Sequence, residues 1–323
     1  MLLVEVTING TLHYVSMGGE ELTHYWDNQI VGFDPPQNQI FNLYGGYIRP
    51  GFGSIKFSHD LFGVDDWPPP MNVDVAVYYT ATTEAAKETI FTGKAHYQNM
   101  TRDNVEYELY GESYSALVTD TTAFDDTLVN VATWFCNAAR LNLTLNTTYA
   151  RSPSPDVKFT NSGDRLAIDL FGDVCAFFTH CFYVSAGTLY LIDMLADAST
   201  VTLTEFDFYP SEYTCEVPAA IVRSTNYSRV STYPYGNELE LTTEYVDTQV
   251  KVETALDNIL TVVNRRRCRL KMPFLGSLPT PGKKISWTDT SLKHDLDVWI
   301  RSRTLTFDFE NEVVTVEGEG ELS

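Results

Sequence analysis

Residues 161–193 constrain the fold most strongly, because this segment predicts a helix that runs directly into a β-hairpin. Its apolar residues fall at the spacing of one buried helix face, in two neighbouring rows: Leu166, Leu170, Val174 and Phe178, and then Ala167, Phe171 and Cys175. Ser162 or Asp164 can cap this helix, because either side chain accepts hydrogen bonds from free backbone N–H groups of the first turn.

The hydrophobic period changes directly after this helix. Phe182, Tyr183 and Val184 are aromatic or β-branched, and the chain returns as a strand over 189–192. Between them, Ser185-Ala186-Gly187 supplies a turn with a glycine. The segment therefore predicts a helix packed beside a tight two-stranded hairpin.

The residues of this segment resemble a unit that recurs in bacteriophage tail hub proteins. The matching stretches are RLAIDLFGD, FYV, a glycine and TLYLID, in that order. The family in question comprises baseplate hubs and late-control-D-type tail proteins, and includes the hub part of type VI secretion spikes. The resemblance implies a structural role in a tail.

The first hundred residues predict a β domain. Residues 2–8 alternate as a half-buried strand, and Asn9-Gly10 is a strong hairpin signal before the strand over 11–15. Further strands are predicted over 72–80, 90–93 and 105–111, with Val73, Val75, Val77 and Tyr79 on one face. Short strands and long loops are expected between 18 and 72. This pattern indicates an antiparallel barrel or sandwich, and its layout resembles the first tube-like domain of the hub family.

Residues 120–145 contain a second helix followed by a strand. The apolar stripe comprises Leu128, Val131, Ala132, Phe135 and Ala139, and Leu141, Leu143 and Leu145 alternate after it. Asp125 and Asp126 precede the stripe, where carboxylates favour the positive end of a helix. The stretch TLVNVATWFCNAARLNL is similar to a segment at this place in hub proteins.

The last third of the chain again predicts mostly strands. These strands are expected over 200–208, 239–245, 269–272, 299–302, 304–309 and 313–318, with loop and turn residues over 210–216 and a turn over 279–282. Val252, Leu256, Ile259 and Val263 indicate a third helix. The stretch PGKKISW resembles a step of the hub family in which Pro-Gly leads into a strand with a tryptophan. TVEGEGEL resembles the closing strand of the family's second tube-like domain.

The basic run Arg265-Arg266-Arg267 at the end of the third helix has three interpretations. Cations at a helix C-terminus complement the dipole and are usually solvated. The run could instead contact an acidic neighbouring subunit, or bind nucleic acid. The acidity of the whole chain argues against nucleic acid.

These patterns and the resemblance together predict a mainly β protein with an α+β middle. The expected architecture is two tube-like antiparallel β-barrel domains with an inserted helix-strand domain. The predicted boundaries are 1–118 for the first β domain, 119–195 for the middle domain and 196–323 for the second β domain, which carries one helix at about 248–266.

Charge and hydropathy exclude several classes of protein. Twenty-two basic and 43 acidic residues give a net charge of −21, which disfavours a large surface that binds nucleic acid. No apolar run approaches the roughly 20 residues that span a bilayer. The first residues carry Glu5 and no basic segment, so they predict a strand and no signal peptide.

The residues that usually carry chemistry form no recognisable site. The cysteines at 136, 175, 181, 215 and 268 include no C-x-x-C pair, and buried free thiols are expected at Cys136 and Cys175. The histidines at 13, 24, 59, 96, 180 and 294 are scattered, so surface or capping positions are expected for them. The G-x-G at Gly51 and Gly53 lacks the following helix that a dinucleotide site needs. We therefore predict no catalytic, cofactor-binding or metal-binding residues and no cofactor.

Three functional hypotheses follow. The first, implied by the resemblance, is a non-enzymatic virion protein: a homotrimeric tail or baseplate hub, assembled in the host cytoplasm. It would join the hexameric tail tube or distal tail protein to a spike or tail tip protein, adapt sixfold to threefold symmetry, and leave a channel for the tape measure protein and for DNA, which passes without specific binding. The second is a carbohydrate- or receptor-binding β module of a phage tail. The third is a cell-wall hydrolase whose carboxylate pair leaves no sequence pattern, although the chain is expected to end where a hub ends.

Overall fold

The computed structural model describes residues 1–17, 27–36, 38–42, 45–50, 53–63, 66–80, 83–111, 117–118, 123–138, 142–160, 165–185, 187–196, 199–204, 209–214, 219–224, 227–230, 236–241, 245–273, 281–289, 294–308 and 313–322. Over this part of the chain the protein is mainly β with three α-helices, which confirms the predicted fold class.

The strands of the first third are β1 (Leu2–Ile8), β2 (Thr11–Met17), β3 (Ile30–Asp34), β4 (Asn38–Asn42), β5 (Gly45–Pro50), β6 (Gly53–Ser58), β7 (Asn72–Tyr79), β8 (Glu88–Met100) and β9 (Asn104–Gly111). Short 3₁₀ turns lie at His59–Leu61 and Glu84–Ala86. The described residues between 27 and 72 form short strands and a 3₁₀ turn, which agrees with the prediction of short strands there.

The middle third contains β10 (Leu117–Val118), β11 (Ala123–Thr127), α1 (Leu128–Ala138), β12 (Thr144–Tyr149), β13 (Asp156–Thr160), β14 (Arg165–Leu166), α2 (Ala167–Phe177), β15 (His180–Ser185) and β16 (Thr188–Asp193). The last third contains β17 (Ser199–Thr204), β18 (Tyr209–Thr214), β19 (Ala219–Ser224), β20 (Tyr227–Val230), β21 (Asn237–Leu241), α3 (Gln249–Val263), β22 (Arg266–Pro273), β23 (Lys284–Asp289), β24 (His294–Asp308) and β25 (Val313–Leu322).

Seven strands form the first sheet, in the order β2-β1-β7-β8-β9-β6-β3, with every pair antiparallel. The sheet has the form of a large, curled half-barrel. Asp27, three residues before β3, bridges Val15 of β2 at the opposite edge. The alternation predicted for these strands is present, since Val4, Val6 and Ile8 are buried while Glu5 and Thr7 are not. The predicted Asn9-Gly10 turn connects β1 and β2, with positive φ at both residues.

A second, larger sheet of eleven strands links all parts of the chain. Its main path runs β12-β16-β15-β5-β4-β24-β25-β22-β18, and β23 pairs with both β24 and β17. The hairpin β4–β5 comes from the N-terminal third, yet β5 pairs with β15 in parallel and β4 pairs with β24. This hairpin of the N-terminal third is therefore joined by strand pairing to both the middle third and the last third of the chain.

Helices α1 and α2 pack against the hairpin β15–β16, as the apolar stripes predict. Leu128, Val131, Ala132 and Phe135 of α1 and Leu170, Phe171, Val174 and Cys175 of α2 are buried. Phe135 stacks on Phe171 with ring centroids 4.9 Å apart, and both rings contact Phe182 of β15. The predicted helix and hairpin over 161–193 are thus confirmed, while Ala139 and Leu141 lie outside the described residues.

The predicted N-terminus of α2 requires a correction. Leu166 is not part of the buried stripe, because it occupies the N-cap position in an extended conformation and is 38% exposed. Its side chain makes no capping hydrogen bond, and Ser162 and Asp164 lie outside the described residues. The two aspartates expected at the start of α1 lie in β11 instead, where Asp126 still accepts from Asn130 of the first turn at 2.6 Å.

Three predicted boundaries in the last third also change. Helix α3 ends at Val263, and Arg266 already belongs to β22, so the helix does not reach the end of the basic run. Residues 210–214 of the expected loop form most of β18, which tolerates Pro210 because β18 lies at a sheet edge. Residues 299–302 and 304–308 form one strand, β24, while Cys215, Glu216 and residues 205–208 lie outside the described part.

No helix in the described part of the chain is both long and apolar enough to cross a membrane.

Candidate functional site

The junction is the place where three parts of the chain meet. We use this name for the hairpins β4–β5 and β15–β16, the end of α3, the turn at 281–283, and the adjoining parts of β24 and β25. Its apolar centre consists of Ile40, Ile48, Cys181, Ile192, Met194 and Val262. Each of these residues is at most 3% exposed, so they form a buried apolar core within the junction.

An ion pair between Arg151 and Asp193 lies at the edge of this core. Arg151 Nε donates to Asp193 Oδ2 at 2.9 Å, and Nη2 donates to Oδ1 at 2.6 Å. The Asp193 carboxylate is 6% exposed, and Arg151 also donates to Thr179 Oγ1 at 2.9 Å. These contacts fix the segment after β12 against the open end of the β15–β16 hairpin, where β15 begins and β16 ends.

His180 is buried beside this pair, at the start of β15. Its Nδ1 lies 2.8 Å from the carbonyl oxygen of Phe178, and its Nε2 accepts from the backbone N–H of Arg151 at 3.4 Å. These contacts require a proton on Nδ1 and a lone pair on Nε2, which is the neutral imidazole. Burial lowers the pKa of His180 to about 4, against a partly opposing effect of Asp193. His180 is therefore neutral at physiological pH.

Arg265 closes the other side of the junction. Its guanidinium carbon lies 3.7 Å from the ring centroid of Trp299, and Nη2 donates to the carbonyl oxygen of Met194 at 2.8 Å. Glu321 lies nearby on β25, with Oε2 3.9 Å from Arg265 Nη1 and Oε1 3.3 Å from Arg301 Nε. Burial lowers the pKa of Arg265 to about 10, with Glu321 opposing the shift, so the group remains charged at neutral pH. One side chain just after α3 thereby contacts the residue that follows β16 as well as β24 and β25.

Two glycines allow the backbones at the junction to approach closely. A Cβ at Gly45 would lie 2.4 Å from the carbonyl oxygen of His180, and a Cβ at Gly282 would lie 2.2 Å from Cys181 Sγ. Both residues have positive φ, which side chains rarely adopt. Backbone hydrogen bonds hold the turn at Gly282, since its N–H donates to Ile300 and Ile300 donates to Lys283.

The side chains of the junction serve to hold segments of the chain together. Burial raises the pKa of Cys181 to about 12 and raises that of Cys175 well above its usual value, so both are thiols and weak nucleophiles at neutral pH. His180 is closed to solvent and both its nitrogens are engaged. Within the described residues no group of three or more metal-ligating side chains occurs. The charged groups of the junction orient and hold the chain.

The structure decides several of the sequence predictions about individual residues. Cys136 and Cys175 are buried free thiols, as expected, and so is Cys181. The expectation of a surface or capping position is wrong for His180, which is 1% exposed. The solvated interpretation of the basic run is wrong for Arg265, whose side chain is 6% exposed. The side chains of Arg266 and Arg267, and the whole of Cys215 and His24, lie outside the described part.

The second glycine of the G-x-G motif, Gly53, allows close packing within the first sheet. Gly53 begins β6, and a Cβ at this position would lie 2.5 Å from the carbonyl oxygen of Asp34 on the adjacent strand β3. Gly51 lies outside the described residues. Close contact between strands explains the glycine at 53 without a phosphate ligand.

Sequence reasoning missed Arg151 and Asp193, the most constrained ion pair of the junction. The two residues are 42 positions apart, and each stands in an ordinary context at the end of a strand. The signal that was available is the isolated acidic residue ending the apolar strand TLYLID. An aspartate in that position needs a cation or donors if the strand is buried.

The fold resembles solved structures of phage tail proteins over its whole length. The tail protein of Neisseria meningitidis has a TM-score of 0.61 at 9% identity, covering 99% of this chain and 96% of that one. The 43 kDa tail protein of the Shewanella oneidensis prophage MuSo2 has a TM-score of 0.59 at 9% identity, covering 100% and 98%. A scan of known protein families and a search of curated proteins returned no match.

A component of a type VI secretion system has a similar fold. This E. coli protein, c3393, is described as structurally similar to the phage T4 tail proteins gp27 and gp5, and it matches with a TM-score of 0.50 at 11% identity. The match covers 91% of this chain and 74% of that one. At these identities the comparisons establish a shared fold: the chain is built like phage tail proteins.

Proposed function

We propose that this chain is a structural phage tail protein that acts as a trimeric hub between the hexameric tail tube and a distal spike or tip. The observation that carries the proposal is the length of the structural match: essentially all of this chain corresponds to essentially all of two phage tail proteins. A match over the whole chain leaves no described segment to explain by another role. The protein would work in the virion and catalyse no reaction.

The junction supports this role. A hub transmits force between the tube above and the tip below, so its parts must move as one body. The β4–β5 hairpin joins the two ends of the chain within one sheet, and the buried pairs of Arg151 and Arg265 fix that connection. In the proposal, the predicted regions 1–118 and 196–323 each face one domain of the tube ring, so that three copies match six positions.

The net charge supports a channel through which DNA and the tape measure protein pass. With 43 acidic against 22 basic residues, a lumen lined by this chain repels phosphate. DNA would slide without binding, which is the behaviour that ejection requires. Partners on either side would be tail proteins, and assembly would take place in the host cytoplasm before the virion is complete.

Contacts between the three copies would involve sheet edges, because an edge strand offers unpaired backbone groups to a neighbour. In the described sheet, β12 lies at one end of the main path and β18 at the other. Residue Thr144 of β12 is exposed, and β12 carries no charged side chain that would block pairing. We place β12 among the contact surfaces on this ground.

A charge on this edge tests the placement. In Thr144→Lys the chain should remain folded by circular dichroism, while the mass in solution falls from that of a trimer to that of a monomer. The matched control is Thr133→Lys, on the exposed face of α1, which should leave both properties unchanged. A trimer that persists in Thr144→Lys would remove β12 from the interface.

A further inference from the structure

Exposed apolar side chains lie together at one end of the first sheet. The β1–β2 turn, the β8–β9 turn and residues 59–63 and 66–71 after β6 all lie at this end, as the strand pairs Ile8 with Thr11 and Ser58 with Asn104 require. Trp67 is 48% exposed there, Met71 57% and Met100 40%. A side chain of Asn9 ties the end together by donating to Asp66 Oδ1 at 2.9 Å.

A pocket of about 360 Å³ opens beside Trp67. His59, Phe62, Gly63 and Trp67 line it, and the rings of His59 and Trp67 lie 5.7 Å apart at 49°. The wall is rigid because Phe62 stacks on the fully buried Tyr107, whose hydroxyl donates to Pro70 at 3.0 Å. A pocket of this size accepts one amino-acid side chain or a small molecule.

Acidic side chains lie beside this pocket. Asp66 Oδ2 lies 3.6 Å from the position that a Cβ on Gly63 would take, which places this carboxylate next to a glycine of the pocket lining. Asp60 is exposed next to His59, and the open face of the Trp67 indole attracts cations. The site therefore combines an aromatic face with neighbouring carboxylates.

We propose that this pocket binds an arginine side chain on a protruding segment of another tail protein. A guanidinium is flat enough to stack on Trp67, and its N–H groups can donate to the Asp66 carboxylate beside Gly63. The net charge of −21 adds attraction for a basic segment. A sugar could also stack on the aromatic face and donate hydroxyls to the carboxylates, but it carries no positive charge for the negative net charge to attract. The identity of the partner as a tail protein rests on the proposed function; the chemistry of the pocket does not.

Saturation-transfer NMR on the full-length protein tests the proposal with small probes. The probes are N-acetyl-arginine methylamide, the citrulline analogue of the same shape without the charge, and the methyl glycosides of glucose and N-acetylglucosamine. We expect saturable transfer to the arginine probe, with an affinity at least about fivefold above that of citrulline, since charge-assisted hydrogen bonds are roughly twice as strong as neutral ones.

Three variants locate the binding. Trp67→Ala should abolish the transfer, Asp66→Asn should weaken it by about fivefold while keeping an acceptor for Asn9, and Val230→Ala, an exposed apolar change on β20, should leave it intact. Equal binding of citrulline, binding of the glycosides alone, binding that survives in Trp67→Ala, or no binding of any probe would each overturn the proposal. The probes report on the pocket alone, so such a result leaves the proposed trimer unaffected. A protein that binds arginine but stays monomeric even with tail-tube protein would refute the hub and keep the pocket.

Discussion

Arg151 donates two hydrogen bonds to Asp193, from Nε at 2.9 Å and from Nη2 at 2.6 Å, across 42 residues of sequence. Asp193 ends β16, and the carboxylate is almost fully withdrawn from water. A buried carboxylate keeps its charge only beside a cation or several donors. The pair thus holds the segment after β12 against the β15–β16 hairpin of the junction.

Arg151→Ala should destabilise the protein by about 3 kcal/mol, because it leaves the Asp193 charge buried without its partner. Arg151→Lys should lose about half as much, since lysine cannot form the two-pronged contact. Denaturant midpoints measure both changes. Lys94→Ala is the control, because its pair with Asp74 is exposed on both sides and should contribute little. Equal midpoints for Arg151→Ala and Lys94→Ala would contradict the importance of the pair.

His180 should make stability depend on pH between 6.5 and about 4. Its folded pKa is lowered to about 4 while the unfolded value is about 6.5, so in this window the unfolded chain binds a proton that the folded chain does not. Stability is therefore full above pH 6.5 and falls as the pH drops, by up to roughly 3 kcal/mol.

His180→Asn isolates this contribution. The asparagine can still donate to Phe178, yet it does not titrate, so the difference in unfolding free energy between parent and variant should shrink as the pH falls from 6.5 to 4. Comparing the two proteins at each pH removes the contribution of the carboxylates, which titrate in both. A difference that stays constant across the window would mean that His180 is accessible and protonated in the folded state.

Gly282→Ala should destabilise the protein more than Gly10→Ala does. Both residues have φ near +85°, so both substitutions introduce backbone strain of about 1 kcal/mol. Nothing lies within 4 Å of a Cβ at Gly10, whereas at Gly282 the new methyl group meets Cys181 Sγ. Overpacking should add about 1–3 kcal/mol at Gly282.

The double variant Gly282→Ala with Cys181→Ala provides the internal check. Removing the sulfur leaves Cys181 Cβ 3.9 Å from the new methyl group, an ordinary contact. The two substitutions should therefore cost less together than the sum of their separate effects in denaturant unfolding. Strict additivity would show that Gly282 and Cys181 do not meet.

Cys136, Cys175 and Cys181 should resist alkylation in the native protein. Each thiol is buried, and burial raises its pKa, to about 11 for Cys136 and about 12 for Cys181. Iodoacetamide at pH 8 should leave the peptides that contain these cysteines unmodified, and should modify them once denaturant is added. Mass spectrometry of the digest reads out each site. Rapid native labelling of Cys175 or Cys181 would indicate an open junction.

Local patterns predicted the elements of this fold well, for a physical reason. Strand alternation in β1 and β7 and the stripes of α1 and α2 reflect which side of a local element faces the core, and that information lies within ten residues of sequence. The pairing of β4–β5 with β15 and β24 could not be predicted in this way. Its partners lie more than 130 and 250 residues away, and the apolar residues Ile40 and Ile48 would suit any buried sheet.

The surroundings of the buried charged groups could not be predicted from the sequence for the same reason. Arg265 reads as an ordinary cation at the end of α3, and only the fold places Trp299 and Glu321 around it. The pocket at Trp67 likewise depends on Tyr107, which anchors Phe62 from a distant strand. Residue types predicted what each side chain can do, and the tertiary contacts determined which of those possibilities is used.

The mass of the purified protein in solution, measured by light scattering with negative-stain images of the same peak, tests the central claim most directly. We predict a species of three times 36.4 kDa that appears as a ring with a central hole. A compact monomer over the accessible concentration range, in the absence and in the presence of tail-tube protein, would contradict the hub.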